Sequence, residues 1–125
     1  RWRVPVECKE LAELVAREHG NIHQSLGFGA EAVLRLLVRC DALRRPERFL
    51  LALQACACDA RGRLGKEDDA YAQGPRLTLL LKAAQSVDSA AVSAQALQEG
   101  LQGTAIGARM EAARLAAVSA AISSL

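Results

Sequence analysis

Two histidines four residues apart, His19 and His23, are the first candidates for chemistry in this sequence. On an unbroken helix this spacing brings both rings to one side, where they can share a metal ion. Gly20 and Asn21 follow His19 and predict that the first helix ends there. Because His19 continues an apolar seam, we expect it to point inward as a hydrogen-bonded histidine at a helix end. A metal-binding role for His19 is the alternative.

Basic side chains that suit the phosphates of a nucleic acid stand in two clusters. Their members are Arg61, Arg63, Lys66, Arg109 and Arg114. The run Gly-Thr-Ala-Ile-Gly at 103–107 adds free backbone N–H groups at the start of a predicted helix, a favourable place for a phosphate. The alternative is that these cations pair with nearby carboxylates such as Asp59, Glu67 or Asp68.

Adjacent carboxylates at Asp68 and Asp69 do not make a nucleotidyl-transfer site. That reaction needs closely spaced carboxylates holding two divalent metals, and no glycine-serine phosphate cradle accompanies these two. We interpret them as solvated charges in a loop over 61–74. The sequence therefore predicts no catalytic residue in this chain.

The cysteines, Cys8, Cys40, Cys56 and Cys58, stand in Ala- and Leu-rich helical stretches. This setting predicts reduced thiols in the core of a cytoplasmic protein. Zinc is the less favoured alternative, since Cys56 and Cys58 diverge by about 160° on a helix and no second Cys/His pair completes a tetrahedral set.

The elements that must position these residues are all helices. Apolar residues recur at three- and four-residue spacing, strand-like alternation is absent, and only 3% of the residues are aromatic. We predict an all-α protein of about six helices in one compact orthogonal bundle with no sheet. The predicted helices run from Pro5 to Gly20, over about 30–40, from Pro46 to about Arg61, from Pro75, from Asp88-Ser89 to about Glu99, and from a Thr104 cap to about Ser123.

Size and charge narrow the class of protein further. The 125 residues carry a net charge of +2, so any RNA contact must come from local patches. The longest apolar runs fall far short of the roughly 20 residues that span a bilayer. Because the chain begins at Arg1 without an initiator Met or a signal sequence, we interpret it as part of a longer cytoplasmic protein.

Several segments in order resemble the C-terminal region of bacterial CCA-adding tRNA nucleotidyltransferases that carry an HD (His-Asp) domain. Arg-Arg-Pro-Glu-Arg-Phe at 44–49 and Asp-Ala-Arg-Gly-Arg at 59–63 carry most of the resemblance. The other segments are Arg-Val-Pro-Val-Glu at 3–7, Leu-Ala-Glu-Leu-Val at 11–15, Tyr-Ala-Gln-Gly at 71–74, Gly103, Ile106-Gly107 and Ala-Arg-Leu at 113–115. Together they cover nearly the whole chain.

The resemblance implies an enzyme that adds CCA to tRNA 3′ ends from CTP and ATP, with Mg²⁺ in an N-terminal catalytic head outside this chain. Residues 1–45 would end the HD domain, and 46–125 would form a helical tRNA-binding body and tail, packed as one unit. His19 resembles the His of an HD metal site, where a divalent metal is implied, but Gly20 stands where the family has Asp. The implied role of this chain is therefore tRNA positioning.

Two other functions fit the same residues. One is the remnant of a metal-dependent HD phosphohydrolase around His19 and His23. The other is a helical interaction module, including a homodimer through the last helix, where Ala117, Ala120 and Ala121 allow close helix approach.

Overall fold

The computed structural model describes residues 6–62 and 70–125, and the regular structure in these ranges is entirely helical. The described elements are α1 (Val6–Gln24), a 3₁₀ helix (Ser25–Gly27), α2 (Ala30–Arg39), α3 (Pro46–Arg61), α4 (Gln73–Gln85), α5 (Ser89–Gln98) and α6 (Thr104–Ser123). The predicted all-α class of six helices without a sheet is confirmed over these residues. None of the described helices is both long and apolar enough to cross a membrane.

The helix starts follow cap chemistry at two predicted places and depart from it at a third. Pro46 opens α3, where its missing N–H is not needed. The Oδ1 atom of Asp88 accepts a hydrogen bond from the Ala91 N–H, which confirms the predicted cap of α5. The predicted Thr104 cap is wrong, because Thr104 is already helical and Gly103, at φ 59°, takes the cap position. A positive φ there favours glycine.

The first helix continues through Gly20 to Gln24, so the predicted end at Gly20-Asn21 is wrong. Glycine inside a helix costs about 1 kcal/mol relative to alanine. Two contacts beyond Gly20 offset that cost. Ile22 is fully buried, and the Asn21 Nδ2 atom donates to Oε1 of Glu18 at 2.9 Å.

One hydrophobic core joins five of the described helices. Its larger members are Leu14, Ile22, Val33, Leu36, Leu37, Phe49, Leu53, Leu77, Leu80, Leu81 and Val118. Side chains from both sides of position 45 contribute to this core, so the described parts of 1–45 and 46–125 pack as one unit. The assignment of the two parts to an HD domain and an RNA-binding body remains a prediction.

The cysteines divide into a buried and an exposed pair. Cys40 and Cys56 are buried, and burial raises the pKa of the Cys40 thiol to about 12 and that of Cys56 to about 11. Cys8 and Cys58 are exposed, so the prediction of core thiols is wrong for these two. All four are free thiols.

An aromatic disulfide reagent at pH 8 is therefore expected to modify two thiols per chain rapidly and the other two only after denaturation, because the thiolate is the reacting form. Replacing Cys8 and Cys58 by Ser should abolish the fast phase seen by absorbance. Modification of all four thiols at one rate in the native protein would contradict the assignment.

Candidate RNA-contacting surface

His19 lies on the exposed side of α1, which corrects the prediction that it points inward. Among the described side chains of α1, Leu14, Glu18 and Ile22 are buried. The expected seam runs through Val15 and His19, and Leu14 and Glu18 each lie one residue before these positions. A shift of one residue rotates a helical side chain by about 100°. His19 is therefore turned towards solvent, and a glutamate takes the buried place.

The two histidine rings lie together but make different contacts. Their centroids are 5.9 Å apart, and Nδ1 of His19 lies 3.1 Å from the Val15 carbonyl oxygen, to which it donates. Nδ1 of His23 lies 2.7 Å from the Tyr71 hydroxyl, and Nε2 of His23 lies 3.6 Å from Oδ2 of Asp59. The carboxylate favours the proton on Nε2, so Nδ1 accepts from the tyrosine. The pKa of Tyr71 is raised to about 12, mainly by burial, so the phenol keeps its proton at neutral pH.

The contacts of His23 link three parts of the fold. His23 of α1 is joined to Asp59 of α3 and to Tyr71 just before α4. No group of three or more His, Cys, Asp or Glu within 6–62 and 70–125 is arranged to hold a metal ion. A metal-binding role for His19 therefore stays a prediction without support from this geometry.

Arg61 is the exposed last residue of α3 and lines an apolar groove between α3 and α4. Lys82 of α4 lines the same groove, so two cations border it. Within the described residues Arg61 makes no ion pair, and Glu67 and Asp68, two of its alternative partners, lie outside these residues. Arg63 and Lys66, predicted beside it, lie outside the described residues.

Arg109 is engaged by a carboxylate. Its Nη1 and Nη2 atoms donate to the two carboxylate oxygens of Glu99 at 3.2 and 2.7 Å. These hydrogen bonds hold the pKa of Glu99 below its ordinary value and raise that of Arg109. The alternative of pairing with a carboxylate therefore describes Arg109, whose fork is occupied on the protein surface.

The predicted phosphate site at the start of α6 is also partly occupied. The N–H of Ala105 donates to the carbonyl of Gln102 at 3.2 Å, and that of Ile106 donates to the carbonyl of Gly103 at 3.1 Å. These donors are consequently less available to an anion than the sequence run 103–107 indicates.

Arg114 is half-buried and lies in a groove between α2 and α6, called here the α2/α6 groove. The groove is lined by Glu31, Leu34, Arg35, Val38, Arg39, Gly107, Glu111, Arg114 and Leu115. No residue in the described part of the chain forms a hydrogen bond or ion pair with Arg114. Arg35 and Arg39 therefore join Arg114 on one surface that carries three arginines.

Sequence reasoning missed Arg35 and Arg39, although their four-residue spacing places both on one face of α2. What the spacing does not show is that this face meets α6, which is a result of helix packing. In the described part of the chain Arg35 forms one ion pair, with Glu31, at 3.9 Å between two exposed side chains. Such a pair contributes little and leaves Arg35 available.

A buried carboxylate stands beside this groove. The Glu18 side chain is only 2% exposed and accepts hydrogen bonds from Asn21, Arg39 and Arg17. Burial acts to raise the pKa of Glu18, but these hydrogen bonds outweigh it, so the pKa lies below the ordinary value. Glu18 is therefore ionised at neutral pH and holds two arginines in place.

The fold and this surface together define an all-helical module with an arginine-lined groove. The chain is similar to proteins named Multifunctional CCA protein. It is 58% identical over 118 residues to the protein of Leptothrix cholodnii, covering 94% of this chain and 28% of the relative. The protein of Verminephrobacter eiseniae is also 58% identical over 118 residues, covering 94% of this chain and 29% of the relative.

The same name belongs to a relative from Cupriavidus necator, 55% identical over 122 residues that cover 98% of this chain and 29% of that protein. The chain thus spans less than a third of the length of these relatives. The resemblance to CCA-adding proteins is confirmed, and the chain is a homologue of part of them. No family model matches the chain, and neither does any solved structure.

Proposed function

We propose that this chain is the C-terminal tRNA-binding part of a CCA-adding tRNA nucleotidyltransferase, with 1–45 ending an HD domain and 46–125 forming the body and tail. The parent enzyme would add CCA to tRNA from CTP and ATP, using Mg²⁺ in its catalytic head. The described residues of this chain gather no carboxylate cluster suited to that metal, so no step of nucleotide addition is assigned to them. Their part is to hold the tRNA.

The main support for this proposal is the environment of Arg114. Arg114 is half-buried and has no hydrogen-bond or ion-pair partner among the described residues, although Glu31 and Glu111 line the same groove. A bound phosphate would supply such a partner. Arg35 and Arg39 line the same groove, so one stretch of RNA backbone can meet three guanidinium groups. Contacts to phosphates read shape rather than sequence, which suits an enzyme that must accept every tRNA.

A second contact is proposed at the groove between α3 and α4. Arg61 and Lys82 border it, and the chain continues there into the segment that contains Arg63 and Lys66. Arg109 is expected to contribute less, because binding RNA would require it to leave Glu99.

Replacing Arg39 and Arg114 together by Gln in the full-length enzyme is expected to weaken tRNA binding roughly tenfold near 0.1 M salt. The slope of log Kd against log salt should fall by roughly 1.5, because two phosphate contacts and their released counterions are lost. Filter binding at several salt concentrations measures both quantities.

Lys9→Gln is the matched control, since it removes one positive charge from an exposed position of α1 outside both grooves. Its tRNA affinity should stay within about twofold of the unmodified enzyme. If the double variant keeps the affinity and the salt slope of the unmodified enzyme, the α2/α6 groove is not a phosphate contact. Arg61→Gln combined with Lys82→Gln applies the same test to the other groove.

A further inference from the structure

We propose that Glu18 is a positioning residue that fixes Arg39 for phosphate binding at the α2/α6 groove and holds Arg17 beside it. The inference rests on the proposed function and adds to it a residue that touches no RNA itself. Glu18 is nearly inaccessible, and its carboxylate binds the inner edges of two guanidinium groups.

The contacts of the carboxylate are directional. Oε2 of Glu18 accepts from Nε of Arg39 and from Nε of Arg17, each at 3.2 Å. Oε1 accepts from Nδ2 of Asn21 at 2.9 Å and from Nη2 of Arg39 at 3.3 Å. Arg17 is held a second time, since its Nη2 donates to the backbone carbonyl of Arg39 at 3.1 Å. Both guanidinium planes are thus fixed by contacts on their inner side.

The outer side of each guanidinium stays open. The Nη1 atoms of Arg39 and Arg17 have no hydrogen-bond partner among the residues that the structure describes, and the two side chains are 43% and 56% exposed. Arg39 lines the α2/α6 groove together with Arg114. A side chain that is already fixed loses less rotamer freedom when a phosphate binds, so Glu18 lowers the entropy cost of that contact.

The direction in which Glu18→Gln changes tRNA affinity distinguishes a positioning role from a general electrostatic effect. Glu18→Gln removes a negative charge from beside a basic surface, and electrostatics alone then predicts tighter tRNA binding. Positioning predicts the opposite, because Gln lacks the second acceptor oxygen and releases the guanidinium groups. We expect Glu18→Gln in the full-length enzyme to bind tRNA roughly threefold to tenfold more weakly despite its added positive charge.

The loss of tRNA affinity caused by Glu18→Gln must also depend on the presence of Arg39. In an Arg39→Gln background, the further change Glu18→Gln is expected to cause a much smaller loss of affinity than it does alone, because the two residues act as a unit. Leu81→Ala is the stability control, since it shortens a buried core side chain of α4, a helix that carries neither Arg17 nor Arg39. Under conditions in which circular dichroism shows that Leu81→Ala is folded, this variant should bind tRNA with the affinity of the unmodified enzyme.

Unchanged or tighter binding by folded Glu18→Gln overturns the inference, and so does a full, additive loss in the Arg39→Gln background. If Glu18→Gln does not fold, Arg39→Lys takes its place, because lysine keeps the charge but loses the forked contact with Glu18. Arg39→Lys is expected to weaken binding, and an unchanged affinity overturns the inference. If the double variant with Arg39→Gln and Arg114→Gln binds tRNA normally, the proposed function of the groove is wrong. If the double variant binds tRNA more weakly but Glu18→Gln binds it normally, only the proposed role of Glu18 is wrong.

Discussion

Replacing Phe49 by Ala is expected to lower the free energy of unfolding by about 3–5 kcal/mol. Phe49 of α3 is fully buried and belongs to the core that joins five described helices. Truncation removes its buried apolar surface and leaves a cavity that the surrounding helices fill only in part. Since small domains are stable by about 5–15 kcal/mol, this one change removes a large share of the total.

Urea denaturation of this chain, followed by circular dichroism, measures that loss. Leu51→Ala is the matched control on the same helix, because Leu51 is 50% exposed and its truncation should change stability by less than about 1 kcal/mol. Equal effects of the two substitutions would show that Phe49 does not occupy the core position described for it.

The second large effect is expected from Glu18→Ala, which should lower the free energy of unfolding at pH 7 by about 2–3 kcal/mol. The substitution removes the carboxylate that accepts from Arg39, Arg17 and Asn21. The expected loss lies below that of a fully buried ion pair because both guanidinium groups are about half exposed and regain hydration.

The pH dependence of this loss follows from the direction of the pKa shift. The pKa of Glu18 in the folded protein lies below its ordinary value of 4.5, so the folded state favours the ionised form. The stabilisation is complete above pH 4.5 and disappears as the pH falls through the lower, folded value. The stability difference between the unmodified chain and Glu18→Ala should therefore shrink below pH 4.5. A difference that is the same in urea titrations at pH 7 and pH 3.5 would contradict this account.

Helix positions could be predicted from local chemistry, but the rotation and length of α1 could not. Prolines and apolar spacing give the α3 start directly, as Pro46 shows. At Gly20 the local signal for a helix end is worth only about 1 kcal/mol, and burial of Ile22 beyond it outweighs that signal. Because the helix continues, its buried stripe is set by the packing of its neighbours, and His19 is turned outward.

The candidate surface was predictable only in part for the same reason. Arg114 and Arg61 could be selected from the sequence as cations suited to phosphate, but their surroundings depend on which helices pack together. Glu18 was missed because a glutamate ordinarily belongs on the surface. Its four-residue spacing from Leu14 and Ile22 was the available signal, since it places a carboxylate in the middle of an apolar stripe.

The proposed role of this chain, to hold tRNA for chemistry performed elsewhere, is tested most directly by the steady-state kinetics of nucleotide addition by the proposed full-length enzyme. For the variant with Arg39→Gln and Arg114→Gln, we expect the KM for tRNA to rise roughly tenfold, while kcat and the KM values for CTP and ATP stay near those of the unmodified enzyme. That pattern is expected when the lost interaction had stabilised the bound ground state and the transition state equally. An unchanged KM for tRNA, or a loss confined to kcat, would contradict the account.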